Sequence, residues 1–172
     1  MAQPGTHNIR AVRPGSAWPT SSVLPPLGAL PTAPAVARGH ALSTLAVWDL
    51  RELADTVELV VSELTANGVN ASCGPDRRPV YRDGRMPVIW VGLHTDGAVL
   101  LAEVWDQADG VPVPKSADAD AESGRGLDLV DMLTGSRWGW HPAPNGPGKR
   151  VWAEFTIPAA DGGSPRRDTP DD

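Results

Sequence analysis

The chain has 172 residues, a formal net charge of −6 and a single cysteine, Cys73, which excludes an internal disulfide framework and a cysteine-rich zinc site. The acidic balance argues against direct nucleic-acid binding, whose affinity rests on basic contacts to phosphate. No run approaches the ~18 apolar residues of a membrane span, and the N-terminus lacks the basic-then-apolar plan of a secretory signal, so a soluble cytoplasmic domain is expected.

Residues 1–22 and 158–172 are rich in Pro, Gly, Ser and charge and show no apolar period. They are predicted to be disordered tails around one domain spanning 23–157, because they cannot bury enough surface to offset the entropy of ordering. Within the domain, TAPAVARGHALSTLAVW (32–48) predicts a first helix. Thr32 can N-cap it, Pro34 is tolerated in its first turn, and Ala37, Ala41, Leu45 and Trp48 recur at helical spacing. Asp49 is expected to open a longer helix over about 50–72, where Leu50, Leu53, Val57, Val60 and Leu64 step alternately by three and four. CGPDRRPVYRDGRM (73–86) carries turn chemistry and reads as a loop. Its cluster of Arg77, Arg78, Arg82 and Arg85 is interspersed with acids and reads as solvated.

VIWVGLH and VLLAEVWD flank TDGA and predict a hairpin. QADGVPVPKSADADAESG (107–124) is a loop by composition. GLDLVDMLT predicts a short helix with Leu127, Val130 and Leu133 apolar. RWGW and KRVWAEFTI, on either side of HPAPNGPG, predict a second hairpin with Val151, Ala153, Phe155 and Ile157 on one face. This order predicts an α+β, two-layer sandwich, in which helices cover one face of a mixed, mostly antiparallel sheet.

The stretch VSELTANGVNAS (61–72) places Glu63, Asn67 and Asn70 in a stripe beside the apolar face of the long helix. On spacing alone a solvated helix face is the better reading, and a pocket wall is the alternative. Downstream, Asp106 ends a strand, Gly124-Arg125-Gly126 opens the short helix, and Gly146-Pro147-Gly148-Lys149 precedes the last strand. Taken singly, each is an ordinary turn or cap.

Taken in this order, they resemble the histidine-kinase-like (Bergerat) ATP-binding domain, and within it the stand-alone anti-sigma-factor serine/threonine kinases and related bacterial regulatory ATP-binding proteins. VVSELTANGVNAS resembles the N box, VWDQADGVP the first glycine box, ESGRGLDLVDML the second, and GKRVWAEF the closing strand. The resemblance implies an ATP-binding regulatory protein that uses Mg²⁺ and phosphorylates an anti-sigma-factor antagonist, with a sigma factor as a further partner and a homodimer among its states. A nucleotide-dependent protein-binding module without transfer chemistry is the alternative.

Carried over residue by residue, the resemblance makes Glu63 the catalytic carboxylate and Asn67 the metal ligand. Asp106 becomes the acceptor of the adenine amine, and Gly110 closes the first box. Gly124, Arg125, Gly126 and Leu127 form the phosphate turn, where backbone N–H groups and the start of a helix meet anionic oxygens. Residues 107–123 would be a lid, with Lys115 its one cation, while Lys149 reads equally as a solvated hairpin residue. Two positions depart from the pattern. Ala108 stands where the first box carries a glycine, and Asn70 where the N box often carries a basic residue.

Overall fold

The small apolar residues of the first predicted helix set where that helix sits. In the computed structural model, which describes residues 18–112, 126–144 and 146–159, α1 runs from Ala33 to Val47. Ala33, Ala37, Ala41 and Leu45 are buried along one side, so α1 can lie close to its neighbour. Thr32 occupies the N-cap position, but its side chain makes no capping bond.

The second helix begins later than its period suggests. Asp49 does not cap it. With φ +58°, Asp49 lies in the left-handed region just past α1. A 3₁₀ turn at Arg51–Leu53 follows, and α2 runs from Ala54 to Ala71. Leu50 still reaches the core from the connection, along with Val57, Val60, Val61 and Leu64 of α2.

Among the described residues six strands form one open sheet: β1 (Thr20–Val23), β2 (Leu27–Gly28), β3 (Val88–Thr95), β4 (Val99–Asp106), β5 (Trp138–Pro142) and β6 (Lys149–Thr156). Their order is β1-β3-β4-β6-β5, with β2 also on β3. Every pairing is antiparallel where a mixed sheet was expected. The N-terminal boundary also moves. Thr20, Ser21 and Ser22, assigned to the tail by composition, pair with Thr95, His94 and Leu93. An edge strand of hydroxyl residues takes its register from a partner far along the chain and has no apolar period of its own. Residues 1–17 and 160–172 of the expected tails lie outside the described residues.

Alternate residues of a strand face opposite sides of the sheet. Ile89, Val91 and Leu93 of β3, Leu100, Ala102 and Val104 of β4, and Val151, Ala153 and Phe155 of β6 share one core with α1, α2 and the third helix, α3 (Gly126–Thr134). The fold is therefore α+β, an antiparallel sheet with three helices packed through a common core. The other phase carries Trp90, whose ring centroid lies 3.7 Å from that of Trp105, together with His94, Glu103 and Arg150. No helix among the described residues is long and apolar enough to cross a membrane.

The register positions the site. Cross-strand rows on the core face run Leu93–Ala102–Ala153, then Val91–Val104–Val151, and end at Ile89–Asp106–Lys149. At its last row the helix-facing side of the sheet turns from apolar to ionic.

Candidate functional site

Asp106 and Lys149 are 1% and 5% exposed, an aspartate and a lysine withdrawn from water together. Lys149 Nζ donates to Asp106 Oδ1 at 2.9 Å and to the Ala108 carbonyl at 3.3 Å. The Ala108 N–H also donates to Asp106 Oδ1, at 2.9 Å. Burial raises the Asp106 carboxyl above the usual aspartate value, and the Lys149 ammonium and the Ala108 N–H oppose that rise. Lys149 is thus a buried partner of Asp106 and not a solvated hairpin residue.

Gly148 makes that pairing possible. It has φ +91°, and a Cβ there would fall 1.9 Å from the Asp106 carbonyl oxygen and 2.6 Å from the Gln107 Cα. Only a residue without a side chain lets the β5–β6 turn approach the end of β4 so closely.

Helix α2 closes over the same row through Gly68. A Cβ at Gly68 would stand 3.4 Å from the Asp106 Cβ and 3.7 Å from Oδ2, so the helix backbone lies directly on the aspartate. One residue back, Asn67 Nδ2 is buried and has no hydrogen-bond partner among the described residues. Because amide N and O exchange by a half-turn, either end of Asn67 can take that position. One turn earlier, Glu63 faces the start of α3, and a Cβ at Gly126 would lie 2.5 Å from Glu63 Oε2 and 3.5 Å from Asn67 Nδ2. The Glu63–Asn67 stripe is therefore half-buried against α3 and is not a solvated face. Asn70, at the next step, is exposed.

A cavity of about 530 Å³ opens between these elements. Asn67, Asp106, Gly110, Gly126, Leu127 and Lys149 contribute to its wall, and Glu63 stands behind Gly126, off the wall. Five of the residues expected at a nucleotide site thus converge on one cavity. Gly124, Arg125, Lys115 and most of the expected lid lie outside the described residues. Gly110 has φ +106°, a conformation that favours glycine, so its place in the box has a backbone reason.

The sequence reading missed a second wall. Past α2 the chain turns tightly back, with the Gly74 N–H bonded to the Arg78 carbonyl and the Val80 N–H to the Ser72 carbonyl, both at 2.9 Å. That turn carries Cys73, Gly74 and Arg77 onto the cavity, so Arg77, exposed as expected, also borders it. Arg82 Nη2 meets Asp109 Oδ2 at 3.0 Å and ties this loop to the segment after β4. Turn residues in CGPDRRP signal a reversal but not the direction it takes.

Mg²⁺ prefers hard oxygen ligands and is commonly held by one or two protein oxygens plus phosphates and water. The Asn67 amide beside the cavity, whose Nδ2 has no partner among the described residues, fits that demand once a half-turn presents its oxygen. Among the described residues no cluster of three His, Cys, Asp or Glu side chains is present, so a metal here would depend on the phosphates it accompanies. No protein-family model matches the chain, and no curated protein matches it in sequence.

Proposed function

We propose that this is an ATP-binding regulatory protein on the histidine-kinase-like (Bergerat) fold, a serine/threonine kinase of anti-sigma-factor type acting on an anti-sigma-factor antagonist. The observation that carries the reading is the convergence of Asn67, Asp106, Gly110, Gly126 and Leu127, from separate stretches of chain, on one cavity. A buried carboxylate stands at one part of its wall and the start of a nine-residue helix at another. A heterocycle bearing an amine suits the first, and phosphate oxygens suit the backbone N–H groups and positive dipole end of the second.

In this reading Asp106 orients the base, while the Gly126 and Leu127 backbone receives phosphate oxygens. Asn67 holds Mg²⁺, which would neutralise charge on the transferred phosphoryl group. Glu63, beside Gly126, accepts the proton of the incoming serine hydroxyl as its oxygen bonds to the γ-phosphorus and the bond to the ADP oxygen breaks. General base assistance of this kind is typically worth about 10²–10⁴ in rate.

A second reading keeps the nucleotide and omits the transfer. Because Glu63 is off the cavity wall, a nucleotide-dependent protein-binding module is the alternative. Thermal unfolding with and without Mg-ATP and Mg-ADP tests the shared premise. At a hundredfold the dissociation constant, binding adds about 2.7 kcal/mol, a rise of roughly 5–10 °C for a chain of this size. The magnesium-dependent part should vanish in Asn67→Ala. No shift at millimolar nucleotide would overturn both readings. Labelled γ-phosphate then separates them: transfer to a partner serine that Glu63→Ala abolishes supports the kinase, and no transfer supports the module.

A further inference from the structure

The ion pair at the end of the sheet leaves one acceptor and one donor unused. Asp106 Oδ1 already accepts twice, from the Ala108 N–H and from Lys149 Nζ, each at 2.9 Å. Oδ2 accepts from no donor among the described residues and lies beside Gly68. An ammonium carries three N–H donors, and Lys149 spends two, on Asp106 Oδ1 and the Ala108 carbonyl. Both residues line the cavity. One wall therefore offers a carboxylate oxygen next to an ammonium proton, both held in place before any ligand arrives.

That pair of groups matches an adjacent donor and acceptor on a ring. The edge of a 6-aminopurine presents its amine N–H beside N1, a lone-pair acceptor. The edge of a 6-oxopurine presents the reverse, with O6 accepting and N1–H donating. Guanine adds a second donor at N2, which would call on both carboxylate oxygens, and Oδ1 is already taken twice.

We propose that Lys149 is a base-reading residue, donating to N1 of a 6-aminopurine whose amine donates to Asp106 Oδ2. The proposal rests on the nucleotide reading above and adds to it the residue that senses the ring nitrogen. Lys149 then has two roles. It holds the aspartate in place through Oδ1, and it tells a ring with an acceptor at N1 from one without. Because the ammonium is fixed by bonds to the carboxylate and the Ala108 carbonyl, it need not reorganise on binding. A base that lacks N1 would leave a buried ammonium proton without a partner.

The test compares ADP with 1-deaza-ADP, which keeps the amine and replaces N1 by C–H, by titration calorimetry on the wild-type chain. A hydrogen bond to a charged donor predicts about 10- to 100-fold weaker binding of the deaza analogue. In Lys149→Met the two ligands should bind within about twofold of each other. If that variant fails to fold, the wild-type ratio decides alone. ADP and 1-deaza-ADP binding the wild type equally would overturn the role of Lys149 and leave the nucleotide site standing. Neither ligand binding would overturn the nucleotide reading and this one together.

Discussion

Gly148→Ala should be among the most damaging single-methyl additions in this protein, and two separable terms set the size of the loss. The first is conformational. At φ +91° an alanine is strained by about 1–2 kcal/mol whatever surrounds it. The second is steric. The new Cβ would lie 1.9 Å from the Asp106 carbonyl oxygen, and because that atom is backbone, either the turn or the end of β4 must move. Overpacking of this kind typically costs a further 1–3 kcal/mol or so. Gly97 supplies the control, since its φ is +87° and nothing lies within 4 Å of its Cβ position. Gly97→Ala should therefore carry the conformational term alone. Urea denaturation of the three proteins with a shared m-value measures both. The expected result is a loss of about 1–2 kcal/mol for Gly97→Ala and about 2–5 kcal/mol for Gly148→Ala. If the proposed nucleotide site holds, displacement of Lys149 should also make nucleotide binding fall in Gly148→Ala only. Equal losses within about 0.5 kcal/mol, the usual size of a benign surface change, would refute the close approach of turn and strand.

Gly39 predicts the opposite sign. It lies inside α1, is exposed and has nothing within 4 Å of its Cβ position, so Gly39→Ala should raise stability by about 0.5–1 kcal/mol in the same denaturation assay. On the far face of the sheet, burial works to raise the Glu103 carboxyl, but the close approach of His94 Nε2, 3.4 Å from Oε1, and the charge of Arg150 outweigh it, and the net direction is downward from 4.5. A carboxyl lowered on folding stabilises the protein above its unfolded value and loses that contribution as pH falls through the folded one. Glu103→Gln should thus melt below wild type at neutral pH, with the gap closing as pH drops below 4.5; a gap that widens there would contradict the assignment.

What was legible in the sequence was whatever repeats within a segment, and what was not depended on which segments become neighbours. The apolar steps of α2 announce its buried face, because the helix carries its own period wherever it packs. Asp49 departs from its expected cap for the converse reason. Caps and left-handed turns draw on the same residue types, and only the direction of the next element distinguishes them. The arginine turn at 73–80 gave no clue that it folds back over the cavity, since a reversal looks the same whichever way it goes.

The Asp106–Lys149 pair lies between these cases. Asp106 is in phase with Leu100, Ala102 and Val104, and Lys149 with Val151, Ala153 and Phe155, so each charge extends the apolar face of its own strand. A charge in phase with a buried face must find a partner or move off the face, because an isolated buried charge costs several kcal/mol. One acid and one base, each at the end of such a face, imply a cross-strand pair wherever their strands lie side by side. That adjacency was the missing fact. The helix α3 and the strand β5 separate β4 from β6 in sequence, and the sheet order brings the two strands together. Once they are neighbours, the antiparallel register that matches Ala102 to Ala153 necessarily sets Asp106 against Lys149.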